Sequence, residues 1–478
     1  MPQTLVNLWP VLLALISFLV ALATSVHILL RKRDSRASIA WIGLVWLAPL
    51  LGAFTYLLLG INRIHSRAKE RIPQRNRPPT PPLLAYSPDA LAQFVPEALK
   101  GLSRLSSQVS QQPLLGGNRI NPLWGGDEAF PRMLKRIQEA EQSITLSTFI
   151  LRNDTMGRAF VDALAQAQAR GVAVRLLVDF MGLRYSLPTV KWRLKRQKLI
   201  YAEFMPPRWP NSLPFLNLRN HRKLLICDGL YGFTGGMNIS AQNCHKRGEA
   251  LLEDIHFELE GPVVTELQSI FAEDWFASCG ETLTGQPWFQ APVTPGSTLA
   301  RAIADGPDDR FNTLRQVMLG AIHSAHHHLR IMTPYFVPDT SLSEALITAA
   351  LRGVRVQILL PSNNNLRIVD WACRAHLDEF IQQGVEVAFS SGCFNHSKLF
   401  MVDEGWCLPG SANWDNRSLA LNFECNLECY DEWLTRRLNQ HFDQRFQDAE
   451  RLSLEQIQQW SLGVRLRNAT AALLSPYL

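Results

Sequence analysis

The chain has 478 residues, 47% of them apolar, which is enough for two or three domains with sizeable cores and excludes global disorder. Its formal net charge of +6 is unevenly spread: residues 1–30 carry no charged side chain, residues 31–77 hold ten Lys/Arg against two Asp/Glu, and residues 78–478 are left at −2. That remainder lacks the basic excess of a nucleic-acid binder, while the basic stretch beside an apolar N-terminus suits an anionic membrane surface.

Residues 6–30 and 37–60 are two uncharged, apolar runs, each long enough to cross a bilayer as a helix. No Lys or Arg precedes the first, so it does not read as a signal peptide. Only Arg31 to Arg36 separate them, so residues 1–62 are expected to form a two-helix transmembrane hairpin. Basic residues follow both runs, and the positive-inside rule therefore leaves the orientation open. Residues 63–115, basic at first and then rich in Pro (Pro73, Pro78, Pro79, Pro81, Pro82), read as a partly extended linker.

From residue 116 an α/β pattern runs twice. In the first half a helix over 129–140 leads to a strand at 143–146, and a helix over 158–170 leads to a strand at 172–178. In the second half helices over 312–325 and 341–352 lead to strands at 329–332 and 354–360. Ala169-Arg170-Gly171-Val172 and Leu351-Arg352-Gly353-Val354 put a helix-ending glycine before a buried strand in each copy. The expected fold is α/β, with two tandem sandwich domains at 116–294 and 295–478, parted near Pro292–Pro295.

One pattern also occurs twice, 175 residues apart. Asn220-His221-x-Lys223, Asp228, Gly235 and Asn238 match Asn395-His396-x-Lys398, Asp403, Gly410 and Asn413 at identical spacing. Each His-to-Asp segment reads as a strand, so His and Lys share a face. Seven residues separate Asp from His, which puts Asp228 and Asp403 on the other face as scaffold groups. Two His, two Lys and two Asn converging on one point suit a phosphoryl group. A neutral imidazole attacks phosphorus, a protonated one serves the leaving oxygen, and Lys and Asn donors hold the remaining oxygens. Asn238 and Asn413 are the expected phosphate donors. Glu424 is expected to orient His396, and Asp254 to orient His221. This chemistry needs no metal or other cofactor. The eight Cys contain no C-x-x-C and read as neither a disulfide framework nor a zinc site, Cys227, Cys393 and Cys407 read as packed small residues, and His326-His327-His328 reads as a solvated helix end.

The paired H-x-K-x4-D motifs resemble the phospholipase D superfamily. The uncharged N-terminal pair, Thr333-Pro334-Tyr335-Phe336-Val337-Pro338-Asp339, the run Gly410 to Ser418 with Leu421 to Glu424, and the closing Leu474-Ser475-Pro476 resemble bacterial cardiolipin synthases. Two departures stand out. Ser147-Thr148-Phe149-Ile150 occupies a strand end that commonly holds Tyr, and Gly236 stands where the family usually has Ser. The resemblance implies two phospholipase D-like domains and a catalytic set of His221, Lys223, Asp228, His396, Lys398 and Asp403. It implies transfer of a phosphatidyl group between two phosphatidylglycerol molecules through a phosphohistidine, with His221 as nucleophile and His396 as general acid/base. The implied partners are phospholipid and membrane, with no nucleic acid, and the implied location is the bacterial cytoplasmic membrane, multi-pass. A phospholipase D-type hydrolase, or transfer with another donor or acceptor, uses the same residues.

Overall fold

A computed structural model describes residues 3–32, 35–57, 85–86, 95–206, 218–245, 252–308 and 310–475. The chain divides into two compact units, Met1–Arg67 and Ala68–Leu478.

In the first unit, helix α1 (Gln3–Arg31) is continuous and contains one stretch, Trp9–Arg31, long and apolar enough to cross a membrane. The second uncharged run differs from the expected single helix. It forms α2 (Ser35–Leu47) and α3 (Pro49–Thr55), separated at Ala48, whose backbone leaves the helical region. Pro49 is the cause: it lacks an N–H to continue the helix and disfavours helical geometry in the residue before it. The helices still pack together. Ala21, Ile28, Val45 and Tyr56 form a small core, and Trp46 Nε1 donates to Ser25 Oγ at 3.1 Å. Trp9, Leu13, Leu15, Phe18 and Leu19 face outward.

Much of the expected linker, residues 63–84 and 87–94, lies outside the described residues. Its last part is not extended. Lys100–Ser110 is a helix, and Leu99 and Leu102 are buried against Leu314, Val317 and Met318 of the second half.

The strands of the first half are β1 (Ala85–Tyr86), β2 (Leu114–Trp124), β3 (Ser143–Thr148), β4 (Ala173–Asp179), β5 (Tyr201–Phe204), β6 (Arg219–Asn220), β7 (Leu224–Cys227), β8 (Tyr231–Gly235), β9 (Leu252–Glu253) and β10 (Ile255–Glu260). Those of the second are β11 (Thr298–Asp305), β12 (His328–Met332), β13 (Phe336–Val337), β14 (Arg355–Pro361), β15 (Glu386–Ser390), β16 (Phe394–Asn395), β17 (Leu399–Val402), β18 (Trp406–Cys407), β19 (Trp414–Asp415), β20 (Asn422–Tyr430) and β21 (Glu450–Arg451).

One sheet runs β5-β4-β3-β7-β8-β10-β2, with β3, β4 and β5 parallel. The other runs β2-β11-β20-β18-β17-β12-β14-β15, with β12, β14 and β15 parallel. The long strand β2 belongs to both: Arg119–Trp124 pair with β10, and Leu115 and Asn118 with β11. The α/β duplication expected from the sequence is therefore present strand for strand.

Matching caps start the matching helices. Asp154 accepts from Gly157 N at the head of Thr155–Ala169, and Asp339 accepts from Ser341 N and Leu342 N at the head of Thr340–Leu351. Gly171 and Gly353 end them with φ of 95° and 89°, which a side chain would strain. Each half has an outer core, one around Phe130, Phe160 and Leu176, the other around Leu346, Val356 and Ile358. A third core holds Phe257, Leu267 and Phe271 of the first half together with Met332, Leu359, Leu434 and Phe442 of the second. The two halves are thus welded by buried apolar surface.

Candidate active site

The regular strand expected from His to Asp is shorter than predicted. In each motif a two-residue strand (β6 or β16) precedes the His, the His-x-Lys tripeptide is irregular, and β7 or β17 resumes at Leu224 or Leu399. The break has a cause in pairing. β6 lies parallel to the start of β20, with Asn220 opposite Phe423, and β16 lies parallel to β9, with Asn395 opposite Glu253. The pairing continues one step: His221 N donates to Phe423 O at 2.9 Å, and His396 N to Glu253 O at 2.7 Å. Each motif therefore leaves its own sheet to meet the strand entry of the other half.

This crossing decides which carboxylate serves which imidazole, and it reverses the expected pairing. His221 Nδ1 lies 3.1 Å from Glu424 Oε2, and His396 Nδ1 lies 2.7 Å from Asp254 Oδ2. Each acid follows directly on the residue that bonds the His backbone, so it arrives beside the His of the opposite half. With Nδ1 occupied, Nε2 is the ring nitrogen available for chemistry in both residues.

Alternation separates two faces. Asn220 Nδ2 and Arg222 Nη1 both reach Asp274, at 3.1 and 2.6 Å, while His221 and Lys223 face the site. Arg222 Nε also donates to the Glu424 carbonyl at 3.0 Å, pinning the backbone of the carboxylate that orients His221. Ser397 occupies the matching position in the other motif and is smaller, so this anchor exists on one side only. Lys223 Nζ donates to His221 O at 2.6 Å, and Lys398 Nζ lies 3.1 Å from His396 Nδ1.

The two carboxylates are held differently. Glu424 accepts from Ser411 Oγ and, at 3.0 Å, from Asn422 Nδ2. Asp254 has Gly236 where Glu424 has Ser411, and a Cβ on Gly236 would lie 2.5 Å from Asp254 Oδ1. The departure at Gly236 thus makes room for the Asp254 carboxylate. The supporting donors Ser411, Asn422 and Arg222 were not expected from the sequence. Ser411 stands inside the repeated pattern, and its mismatch with Gly236 was the available signal.

Burial controls the electrostatics. It pushes the pKa of His221 below the ordinary range despite the adjacent Glu424, and that of His396 down to about 4, helped by Lys398 and opposed by Asp254. Burial also lowers Lys223 to about 7 and Lys398 to about 8, against the pull of Glu424 on the first and Asp254 on the second. Burial pushes both carboxyls up, but their cationic and hydrogen-bonding neighbours outweigh it. His221 and Lys223 hold Glu424 below the usual carboxylate range, and Lys398 and His396 do the same for Asp254. Lys398 acts on His221, and Lys223 acts on His396, so the four basic side chains share one electrostatic environment.

Asp228 and Asp403 stand apart from this set. Asp228 accepts from the backbone N–H groups of Glu141, Gln142 and Ser143 at 2.8–3.0 Å. Asp403 does the same for His326, His327 and His328 at 2.8–3.1 Å. Both sit in the left-handed region at φ 53° and 50°, closing a turn onto the loop that leads into β3 or β12. Asn238 Oδ1 accepts from Ile150 N at 3.1 Å, and Asn413 Nδ2 donates to Ser418 Oγ at 3.2 Å while its buried Oδ1 has no partner among the described residues. Rotating the Asn413 amide by 180° lets the Ser418 hydroxyl donate to Oδ1 and frees both N–H, as in Asn238. Aromatic rings flank the imidazoles: Phe149 lies 5.2 Å from His221, and Tyr335 lies 6.5 Å from His396.

Comparison with known proteins gives the family. Residues 133–275 and 318–447 match the family model "Cardiolipin synthase, PLD-like domain", and residues 19–60 match "Phospholipase_D-nuclease N-terminal". The cardiolipin synthase of Geobacillus kaustophilus is 32% identical, covering 99% of this chain and 94% of the relative. Cardiolipin synthase A of Pseudomonas fluorescens Pf-5 is 31% identical, over 98% of both. Among solved structures, the phosphatidylserine synthase of Haemophilus influenzae superposes with a TM-score of 0.61 at 16% identity, over 79% of this chain and all of that one, a likeness of fold alone. The chain belongs to the cardiolipin synthase family of phospholipase D-like proteins.

Proposed function

We infer that this chain is a phosphatidyltransferase that joins two phosphatidylglycerol molecules into cardiolipin and releases glycerol by way of a phosphohistidine. The observation that carries this reading is the pair of imidazoles from two halves, each with a carboxylate on Nδ1 and Nε2 left for reaction, beside two buried lysines.

His221 Nε2 attacks the donor phosphorus, the P–O bond to the glycerol headgroup breaks, and His396 gives its Nε2 proton to the departing oxygen. The acceptor's primary hydroxyl then attacks phosphorus, His396 takes its proton, the P–N bond breaks, and His221 is restored. In the free enzyme burial favours the neutral form of both imidazoles. The anionic phosphodiester supplies the charge that stabilises one of them protonated. Lys223, Lys398, Asn238 and Asn413 donate to the non-bridging oxygens, where charge builds up in the transition state.

The first unit anchors this chemistry at a bacterial cytoplasmic membrane. We read it as a two-span hairpin, α1 crossing once and α2 with α3 returning. The support is its pair of uncharged runs, its internal packing, and its outward apolar side chains.

The test uses the full chain in detergent with phosphatidylglycerol as sole lipid, following glycerol and lipid products together. Cardiolipin and glycerol in equal amounts is the expected result. Phosphatidic acid in place of cardiolipin would make the enzyme a hydrolase and overturn the transferase reading.

A further inference from the structure

The two halves are related strand for strand, yet the approaches to their imidazoles differ in one respect that the reaction explains. Two residues before His221 stands Arg219. By the alternation that turns Asn220 and Arg222 toward Asp274, Arg219 lies on the same face as His221 and Lys223. The matching residue before His396 is Phe394, whose ring lies 5.9 Å from that imidazole and 6.4 Å from Tyr335. Four residues after Asn413 stands Arg417, on the short helix Asn416–Ala420 that leads into β20, and the matching residue after Asn238 is Gln242. Arg219 is the β-partner of Asn422, the first residue of β20 just after that helix, so the crossing of the halves gathers both arginines on the His221 side. The other approach carries an aromatic residue and a neutral amide.

Both arginines are half-buried, and among the described residues no carboxylate lies within ion-pair distance of either. The nearest acids are already engaged. Asp179 accepts from the backbone N–H groups of Met181, Gly182 and Asn220, and Asp415 caps Ser418 N. Burial raises both carboxyls to about 6. Arg219 itself is held below its ordinary pKa by burial, against the attraction of Asp179, and then by repulsion from Arg417. Asp179 and Asp415 offset part of this positive charge without pairing with either guanidinium, and an anion that joined the two would offset the rest. The exposed Tyr185, whose ring lies 5.8 Å from Phe149, adds a hydroxyl at the same rim.

The nucleophile needs only one phosphodiester, and Lys223 and Lys398 already face it. An acceptor phospholipid brings a second phosphodiester, set back from its reacting hydroxyl by a three-carbon headgroup. Residues two apart on an extended chain are roughly 6.6 Å apart, a span of the same order. We propose that Arg219 and Arg417 form a second anion site beside His221 that holds the phosphodiester of the acceptor phospholipid and so selects an anionic lipid over water or a simple alcohol. The proposal rests on the transferase reading above, and Arg is suited to it by its planar, bidentate donors and permanent charge.

The experiment offers two acceptors to one intermediate. Full-length protein in detergent is given phosphatidylglycerol and a fixed concentration of ethanol, and the ratio of cardiolipin to phosphatidylethanol is measured. Donor binding and intermediate formation are common to both products and cancel in the ratio. The Arg219→Gln/Arg417→Gln variant is expected to lower the ratio roughly tenfold or more, the scale of one lost charge-assisted contact. The Arg219→Lys/Arg417→Lys variant, which keeps the charge, is expected to fall between it and the wild type. Phosphatidylethanol formed by each variant reports that the protein is folded and the intermediate is made. An unchanged ratio in the Gln variant, whatever its total rate, would overturn the acceptor site and leave the transferase reading intact. Failure of the wild type to form either product would overturn the transferase reading and the acceptor site with it.

Discussion

His221 Nδ1 lies 3.1 Å from a carboxylate oxygen of Glu424, a residue 203 positions further along the chain, and His396 Nδ1 lies 2.7 Å from Asp254, 142 positions back. Among the described residues, neither motif histidine has a carboxylate of its own half on Nδ1. Glu424→Gln should therefore lower turnover by about 10²–10⁴-fold, the cost of leaving an imidazole in the wrong tautomer. It should also remove the downfield ring-proton resonance of His221 while leaving that of His396, and Asp254→Asn should do the reverse. Loss of the His396 resonance in Glu424→Gln would restore the within-half pairing.

Gly236 and Asp254 are matched in size. A side chain at 236 places Cβ 2.5 Å from Asp254 Oδ1, closer than real contacts allow, so the carboxylate must move from His396. Gly236→Ser is expected to lower kcat by about 10²-fold, the scale of an ångström-level misplacement, with little change in KM for phosphatidylglycerol. Steady-state kinetics decides it: wild-type kcat would contradict the packing argument.

The pH profile follows from burial. Lys223 and Lys398, lowered to about 7 and about 8, lose their positive charge as pH rises through that window, so attraction for the anionic donor is lost on the alkaline side. Burial lowers His221, the base that must be neutral, so the acid limb moves below the usual histidine range, and it lowers His396, the acid that must carry a proton, to about 4. The profile of kcat/KM, which reports the free enzyme, should therefore reach its maximum below the usual histidine range and fall as pH rises, most steeply through about 7–8 where the lysines also lose their charge. An acid limb centred near 6.5 with no alkaline fall would contradict this.

Asp228 belongs to the scaffold by geometry, since its carboxylate is taken by three backbone N–H groups. Asp228→Asn keeps a residue tolerant of φ 53° and weakens those bonds. It should lower stability by about 1–3 kcal/mol, with turnover per folded molecule within about twofold of wild type. Thermal unfolding and activity measured together separate the two effects, and a loss of turnover at unchanged melting temperature would place Asp228 in the chemistry.

Much of this site was legible in the chain. The spacing of His221, Lys223, Asp228 and Asn238 repeats at 396–413, and the helix–strand rhythm gave the α/β elements to within a few residues. The pairing of acids with histidines was not legible. Glu424 follows His396 by 28 residues and Asp254 follows His221 by 33, so proximity in sequence favoured the wrong partners; only the parallel pairing of β6 with β20 and of β9 with β16 reveals the exchange. The helix Lys100–Ser110 was hidden because Ser and Gln dilute its apolar stripe, and Leu102 gains its place by packing on the distant Leu314 and Val317. Composition identified the second uncharged run but did not weigh Pro49, which divides it.

Covalent catalysis on the first motif is the centre of the account. The most direct test mixes protein with phosphatidylglycerol labelled at phosphorus, quenches within milliseconds in base, where a phosphorus–nitrogen bond survives, and locates the label by peptide mass spectrometry. Label on His221 in the wild type, absent from His221→Ala, is the predicted result. Label retained by His221→Ala, or placed on His396 in the wild type, would contradict it.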